Sequence, residues 1–178
     1  ETEYVAYVGS YTHGSSRQGI HVYDVDVENG TLTERSSVEV SNASHMAVSK
    51  NGKYLYSIED EGVAVFKRDH NGDLARINSV DIDGMRGCFL ATDVDGKYLY
   101  VAGYHDGKVT VVHTHKDGRL GSVMDGVFHT GLGSVAERNF RPHVNCVRPT
   151  PDNKYLCAVD NGIDQIKVCL LYTSPSPR

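Results

Sequence analysis

Two short cassettes recur along this chain, and together they constrain its fold more than any other feature. The first reads Asn-Gly-Lys-Tyr-Leu-Tyr, Asp-Gly-Lys-Tyr-Leu-Tyr and Asp-Asn-Lys-Tyr-Leu at residues 51–56, 95–100 and 152–156. The second reads Asn-Gly-Thr-Leu, Asn-Gly-Asp-Leu and Asp-Gly-Arg-Leu at residues 29–32, 71–74 and 117–120. Three of the four intervals are 42, 44 and 46 residues, and the fourth is 57. A period of roughly 40–50 residues with strand composition is typical of β-propeller blades, so the repeats predict a propeller.

The residues between the cassettes predict four strands in each repeat. In the most regular repeat, residues 45–48 are nearly all apolar, residues 54–58 are aromatic and β-branched, residues 63–66 are apolar, and apolar residues recur through 74–82. Turn signals separate these segments. No segment shows a convincing 3.6-residue apolar period, so almost no helix is predicted. The predicted fold class is therefore all-β: a partial β-propeller with about three and a half blades of four-stranded antiparallel sheets.

The first repeat and the longest interval each depart from this plan. The first repeat, over residues 4–40, lacks a preceding inner strand, which the other terminus often supplies in a closed propeller. The 57-residue interval has extra residues around 126–140, a glycine-rich stretch that precedes the next inner strand. We predict an enlarged loop there, and such loops on a rigid scaffold often carry function.

The blade pattern stops before the end of the chain. Residues 1–168 are predicted to form a truncated propeller domain. Residues 169–178 carry no blade signal, and one back-translation of them matches a transposon-end sequencing adapter, so they are predicted to be a non-native tail. Because propellers close with roughly 4–8 blades, we expect this chain alone to be poorly soluble or marginally stable, and inactive.

Composition excludes several classes of function. The net charge is −5, and lysine and arginine are dispersed, which argues against a nucleic-acid partner. No run of 18 apolar residues is present, so no membrane-spanning helix is predicted. The four cysteines show neither a CxxC pair nor zinc-ligand spacing, which favours free thiols in a reducing cytoplasm.

Several segments resemble the seven-bladed lactonase family, whose members include bacterial 6-phosphogluconolactonases. The similarity covers most of residues 4–168 and is clearest at 7–12, 19–23, 42–45, 104–109, 141–143 and 160–164. Gly103, Asn145 and Asn161 depart from the usual residues of the family. The resemblance implies hydrolysis of a sugar lactone, most specifically 6-phosphogluconolactone in the pentose phosphate pathway, with a phosphorylated small molecule as partner. The alternatives are a lactone-forming cycloisomerase, a metal-dependent lactonase and a non-enzymatic scaffold for protein partners.

Lactone opening requires a base that deprotonates water and a cation that stabilises the oxyanion, and no metal or other cofactor is required. His143 starts an inner strand and is the predicted base, Arg141 the predicted anion clamp, and Glu137 a second base or a group that orients His143. The predicted substrate-binding residues are His45, Arg86 and Arg138.

Equivalent positions in the earlier repeats suggest further residues that line the channel. His45 and Cys88 occupy the positions of His143 in the two earlier repeats, and Arg86 lies two residues before Cys88 as Arg141 does before His143. Asp160 and Asp164 are expected to accept hydrogen bonds from turn amides. The pair His113 and His115 has the spacing of metal ligands on a strand, but no third ligand is close in sequence, so we interpret them as exposed strand residues.

Overall fold

The computed structural model describes residues 3–14, 16–134 and 141–171. These residues form fourteen strands and no helix. The strands are β1 (Tyr4–Gly9), β2 (Gln18–Asp26), β3 (Thr31–Glu39), β4 (Met46–Val48), β5 (Tyr54–Glu59), β6 (Gly62–Arg68), β7 (Leu74–Asp81), β8 (Phe89–Thr92), β9 (Tyr98–Gly103), β10 (Lys108–Thr114), β11 (Leu120–Phe128), β12 (Val144–Pro149), β13 (Tyr155–Asp160) and β14 (Gln165–Leu170).

The strands form four antiparallel sheets, each built from strands consecutive in sequence. We call these sheets blade 1 (β1–β3), blade 2 (β4–β7), blade 3 (β8–β11) and blade 4 (β12–β14). Blades 2 and 3 have four strands, whereas blades 1 and 4 have three. The prediction of about three and a half propeller blades is therefore confirmed. Among the described residues, β1 is the first strand in the sheet of blade 1.

Two boundaries differ from the predicted ones. The enlarged loop begins at His129 and not at 126, because β11 continues through Phe128 and pairs Val127 with Val109. The last strand continues through Cys169 and Leu170, which pair with Leu156 and Tyr155. Backbone pairing along β13 thus includes the first two residues of the segment predicted to be non-native.

The first cassette forms the turn between the two innermost strands of a blade. The Asn51 side chain accepts a hydrogen bond from the Lys53 amide, and Asp152 accepts one from the Lys154 amide. The middle residue has a positive φ of 72° at Gly52 and 57° at Asn153. Glycine adopts this conformation without steric cost and asparagine tolerates it, which explains the Asp-Asn-Lys variant of the cassette.

The core lies between facing blades. The largest cluster joins blades 2 and 3 through fully or nearly fully buried side chains that include Ile58, Val63, Leu99, Val101 and Val112. A second cluster joins blades 3 and 4, and a third joins blades 1 and 2. Each interface therefore stabilises only the two blades that form it.

Polar side chains add a specific link at the first two of these interfaces. Arg35 of blade 1 forms an ion pair with Asp73 of blade 2, with 3.0 Å between Nη2 and Oδ2. The Asn78 amide of blade 2 donates to the Leu120 carbonyl of blade 3 and accepts from the Leu120 N–H, at 2.9 and 3.0 Å. The two-way bond fixes the register of one blade against the next.

No helix that could span a membrane occurs in the ranges that the structure describes.

Candidate active site

The inner strands β4, β8 and β12 bring the residues before them to one edge of the propeller. His45 Nδ1 lies 3.0 Å from the Leu90 amide nitrogen of β8 and accepts its hydrogen. The Cys88 thiol donates to the Val144 carbonyl of β12 at 3.3 Å. Each of these two side chains therefore contacts the inner strand of the following blade, as expected for equivalent positions.

His143, the predicted base, is buried between blades 3 and 4 with 6% of its surface exposed. Its ring stacks on Tyr104, with centroids 4.3 Å apart and an interplanar angle of 13°. His143 Nδ1 lies 2.7 Å from the Tyr104 carbonyl oxygen. A carbonyl can only accept, so Nδ1 carries the hydrogen and Nε2 carries the lone pair in the neutral imidazole. The fold thus selects the tautomer whose Nε2 carries the lone pair that a general base requires.

Asp160 holds the backbone on which His143 is mounted. Its Oδ1 accepts hydrogen bonds from the His143 amide at 2.8 Å and the Gly162 amide at 2.9 Å. Its Oδ2 accepts from Nδ1 of His129 at 2.7 Å. The bond to Gly162 is the predicted turn interaction, but the other two bonds give Asp160 a larger role than the sequence indicated.

Glycine is required at 162 for steric reasons. A Cβ atom there would collide with the Arg141 carbonyl oxygen and lie 2.7 Å from the His143 amide nitrogen. The close approach keeps the Asp160–Gly162 turn against the start of β12.

His129 belongs to the cluster around Asp160, although the sequence did not indicate it as a site residue. It is 6% exposed, and the side chains of the His129–Asp160 pair are 2% and 0% exposed. The one available signal was its position at the start of the glycine-rich stretch. Because Asp160 ends β13 and His129 follows β11, only the packing of blade 4 on blade 3 brings them together.

Asp164, by contrast, anchors the enlarged loop. Its Oδ2 accepts from the amide and hydroxyl of Ser134, at 2.7 and 2.6 Å. These hydrogen bonds hold the pKa of Asp164 below its ordinary value. Asp164 therefore accepts from a backbone amide, as predicted, although across the loop.

A second group of polar atoms lies at the loop that joins β7 to β8, which carries Arg86. The Arg86 guanidinium lies 5.7 Å from the centre of the Tyr11 ring. Among the described residues, Arg86 Nε and Asp106 Oδ1 are buried and have no hydrogen-bond partner. The other Asp106 oxygen accepts from the Met85 amide at 3.1 Å. Buried polar atoms are normally paired, so an unpaired donor and an unpaired acceptor are suited to a bound ligand or water.

The structure gives less information on the remaining predicted site residues. Arg141 is exposed and lies two residues before His143. Glu137 and Arg138 lie outside the described residues. Cys88 is not suited to nucleophilic chemistry, because burial raises the pKa of its thiol and the thiol donates to Val144.

A groove runs along the inner strands below these clusters. It has a volume of about 370 Å³, and its lining includes His45, Phe89 and Arg148. The Arg148 guanidinium lies 5.4 Å from the centre of the Phe89 ring, and His45 packs on the same ring at 4.2 Å. The sequence predicted His45 here, but not Arg148. Both side chains carry nitrogen donors of the kind that bind anionic or hydroxyl-rich ligands.

The charge state of His45 gives a direct test of this geometry. Burial, and secondarily the Arg148 charge, lower the pKa of His45. We expect His45 to titrate below the ordinary histidine value of about 6.5 in an NMR pH titration. Because the pKa of His45 is lower in the folded chain than in the unfolded chain, the unfolded chain binds this proton more readily. His45 therefore leaves stability unaffected at neutral pH and lowers it as the pH falls below about 6.5. Arg148→Ala should move the His45 pKa upward, whereas exposed Arg119→Ala should not. A His45 pKa above 6.5 would contradict the buried position of His45 beside Arg148.

Sequence comparison places the chain in a family. It belongs to the seven-bladed β-propeller lactonases: the family described as "Lactonase, 7-bladed beta-propeller" matches residues 5–175. A 6-phosphogluconolactonase from Bacillus subtilis (strain 168) is 38% identical over 171 residues, which cover 93% of this chain and 48% of the relative. A 6-phosphogluconolactonase from Formosa agariphila is 32% identical over 168 residues, with 90% and 48% covered.

A solved structure also matches most of this chain and about half of its own. The periplasmic gluconolactonase PpgL of Pseudomonas aeruginosa superposes with a TM-score of 0.86 at 28% identity, covering 94% of this chain and 50% of that one. The chain therefore spans about half the length of the curated relatives it matches.

Proposed function

We propose that the whole protein to which this chain belongs is a lactone hydrolase that converts 6-phosphogluconolactone to 6-phosphogluconate in the pentose phosphate pathway. The observation that carries the proposal is the mounting of His143, whose tautomer and position are held by Tyr104 and Asp160. The names of the Bacillus and Formosa relatives support the substrate class.

In the proposed reaction, His143 Nε2 removes a proton from water as the water oxygen bonds to the lactone carbonyl carbon. The carbonyl oxygen becomes an oxyanion, for which Arg141 is the proposed partner. The bond between the carbonyl carbon and the ring oxygen then breaks. The ring oxygen takes the proton from His143 and leaves as a hydroxyl group, so the imidazole returns to its starting form. Glu137 keeps its proposed role as a second base or as an orienting group.

We assign Arg86 to the phosphate of the substrate, together with Arg138. A guanidinium forms bidentate hydrogen bonds with phosphate, and the buried unpaired Nε of Arg86 would gain a partner there. His45 is proposed to contact the sugar from the inner-strand groove, since its Nε2 is the protonated nitrogen when Nδ1 accepts from Leu90.

We also propose a cytoplasmic location. The support is that Cys88, Cys146, Cys157 and Cys169 are all free thiols, as expected in a reducing compartment. The Pseudomonas relative is periplasmic, so the fold itself is compatible with either compartment.

The proposal is tested by measuring hydrolysis of phosphorylated and unphosphorylated gluconolactone by the whole protein. We expect faster turnover of the phosphorylated lactone. Arg86→Gln should raise KM for that substrate by roughly 10–100-fold, the loss of about one charged hydrogen bond, and leave the unphosphorylated substrate nearly unaffected. Arg119→Gln, at an exposed turn on blade 3, serves as the control. Failure to hydrolyse either lactone would refute the function, and equal effects of Arg86→Gln on both lactones would refute the phosphate assignment.

A further inference from the structure

A pair of histidines on blade 3 is unrelated to the candidate active site. His113 lies on β10, and His115 follows the end of that strand at Thr114. Residues two apart on a strand project from the same face. The two rings are 4.7 Å apart between centroids and meet at 80°, nearly edge to face.

The neighbouring strand leaves space for both imidazoles. Gly121 on β11 has no side chain, and a Cβ atom placed there would lie 2.9 Å from His115 Nε2 and 3.1 Å from His113 Nδ1. Both nitrogens therefore face the same small volume beside β11.

The backbone around His115 is well fixed. Its amide donates to the Arg119 carbonyl at 2.9 Å, and its carbonyl accepts from the Gly118 amide at 2.9 Å. Thr114, between the two histidines, is buried and donates to the Gly96 carbonyl at 2.8 Å. A ligand that joins the two imidazoles thus has to order only two side chains.

We propose that His113 and His115 form a binding site for a divalent transition-metal ion, of the class Cu²⁺, Ni²⁺ or Zn²⁺. Two neutral imidazoles suit these ions, whereas Mg²⁺ and Ca²⁺ require oxygen ligands. The neighbouring charges are Lys116, Asp117 and Arg119, so electrostatic attraction does not provide the affinity. In the described part of the chain no group of three or more His, Cys, Asp or Glu side chains could hold a metal, so water completes the coordination.

The test is a titration of the chain with Ni²⁺ and with Zn²⁺, followed by calorimetry and by NMR of the histidine rings. Wild type should bind one ion, and Ni²⁺ should broaden the ring signals of His113 and His115 before those of other histidines. His113→Ala and His115→Ala should each weaken binding at least about tenfold. Gly121→Ala should weaken it as well, because the added methyl group occupies the space between the two nitrogens.

His70→Ala is the matched control, since His70 is an exposed histidine on a turn of blade 2. It should leave the affinity unchanged. The proposal is overturned if the single variants of His113 and His115 bind as wild type does, or if His70→Ala loses as much affinity. Broadening that begins at another histidine would overturn it even where a variant fails to fold. Lower pH should release the metal, because protons compete for the same nitrogens.

Discussion

Replacing Asp160 with alanine is expected to lower the free energy of unfolding of this chain by about 3–5 kcal/mol, the usual cost of removing one partner from a buried polar pair. The Asp160 carboxylate is buried and accepts from two backbone amides and from His129. Without it, three buried donors lose their acceptor. Urea denaturation followed by circular dichroism measures the change.

Asp164→Ala is the matched control, since Asp164 lies four residues later and its carboxylate is exposed and bonds Ser134. We expect a much smaller loss of stability in this variant. Asp160→Asn keeps the volume of the side chain and leaves an oxygen for the two amides, but places an NH₂ group opposite His129 Nδ1. It should lie between wild type and Asp160→Ala. Equal stability of the Asp160→Ala and Asp164→Ala chains would show that the buried carboxylate does not organise this region.

His143→Ala is expected to reduce kcat of the whole protein by roughly 10²–10⁴-fold, the usual contribution of a positioned general base. The change in KM should be smaller, because the proposed proton transfer occurs in the transition state. Steady-state hydrolysis of the phosphorylated lactone measures both constants. Tyr104→Phe should retain most of the activity, since the bond that sets the tautomer of His143 comes from the backbone carbonyl of Tyr104.

His105→Ala provides the control for His143→Ala. His105 is exposed and touches the same Tyr104 ring edge-on, with centroids 5.7 Å apart, but has no place in the proposed reaction. Its kcat should stay within about twofold of wild type, which is the scatter expected of a surface change. A His143→Ala enzyme as active as His105→Ala would exclude His143 as the base.

The repeats predicted the architecture well because both cassettes encode local structure. Asn51 of the first cassette, and Asp69 two residues before the second, accept hydrogen bonds from amides a few residues downstream. Gly52 and Gly72 supply the positive φ of these turns. Such interactions span only a few residues, so a sequence shows them directly. The boundary of the enlarged loop was less visible, because the pairing of β11 with β10 extends through Gly126, a residue typical of turns.

The candidate site was only partly predictable, for a different physical reason. His143 was identified from its position at a strand start, but its partners Tyr104 and Asp160 come from other strand ends 39 and 17 residues away in sequence. His129 is bonded to Asp160 across 31 residues. A single sequence has no local signal for such contacts, which depend on how blades 3 and 4 pack.

The two-way hydrogen bond between Asn78 and Leu120, and the ion pair between Arg35 and Asp73, each join one blade only to its neighbour. An array of units coupled in this way transmits a perturbation stepwise, and the effect weakens at every junction. A substitution in a blade 1 turn would therefore reach His143 only after crossing three interfaces in series. Sequence drift in the strands of blade 1 is consequently buffered from the chemistry at blade 4, whereas a change at Tyr11 acts directly, because its ring contacts the Arg86 guanidinium.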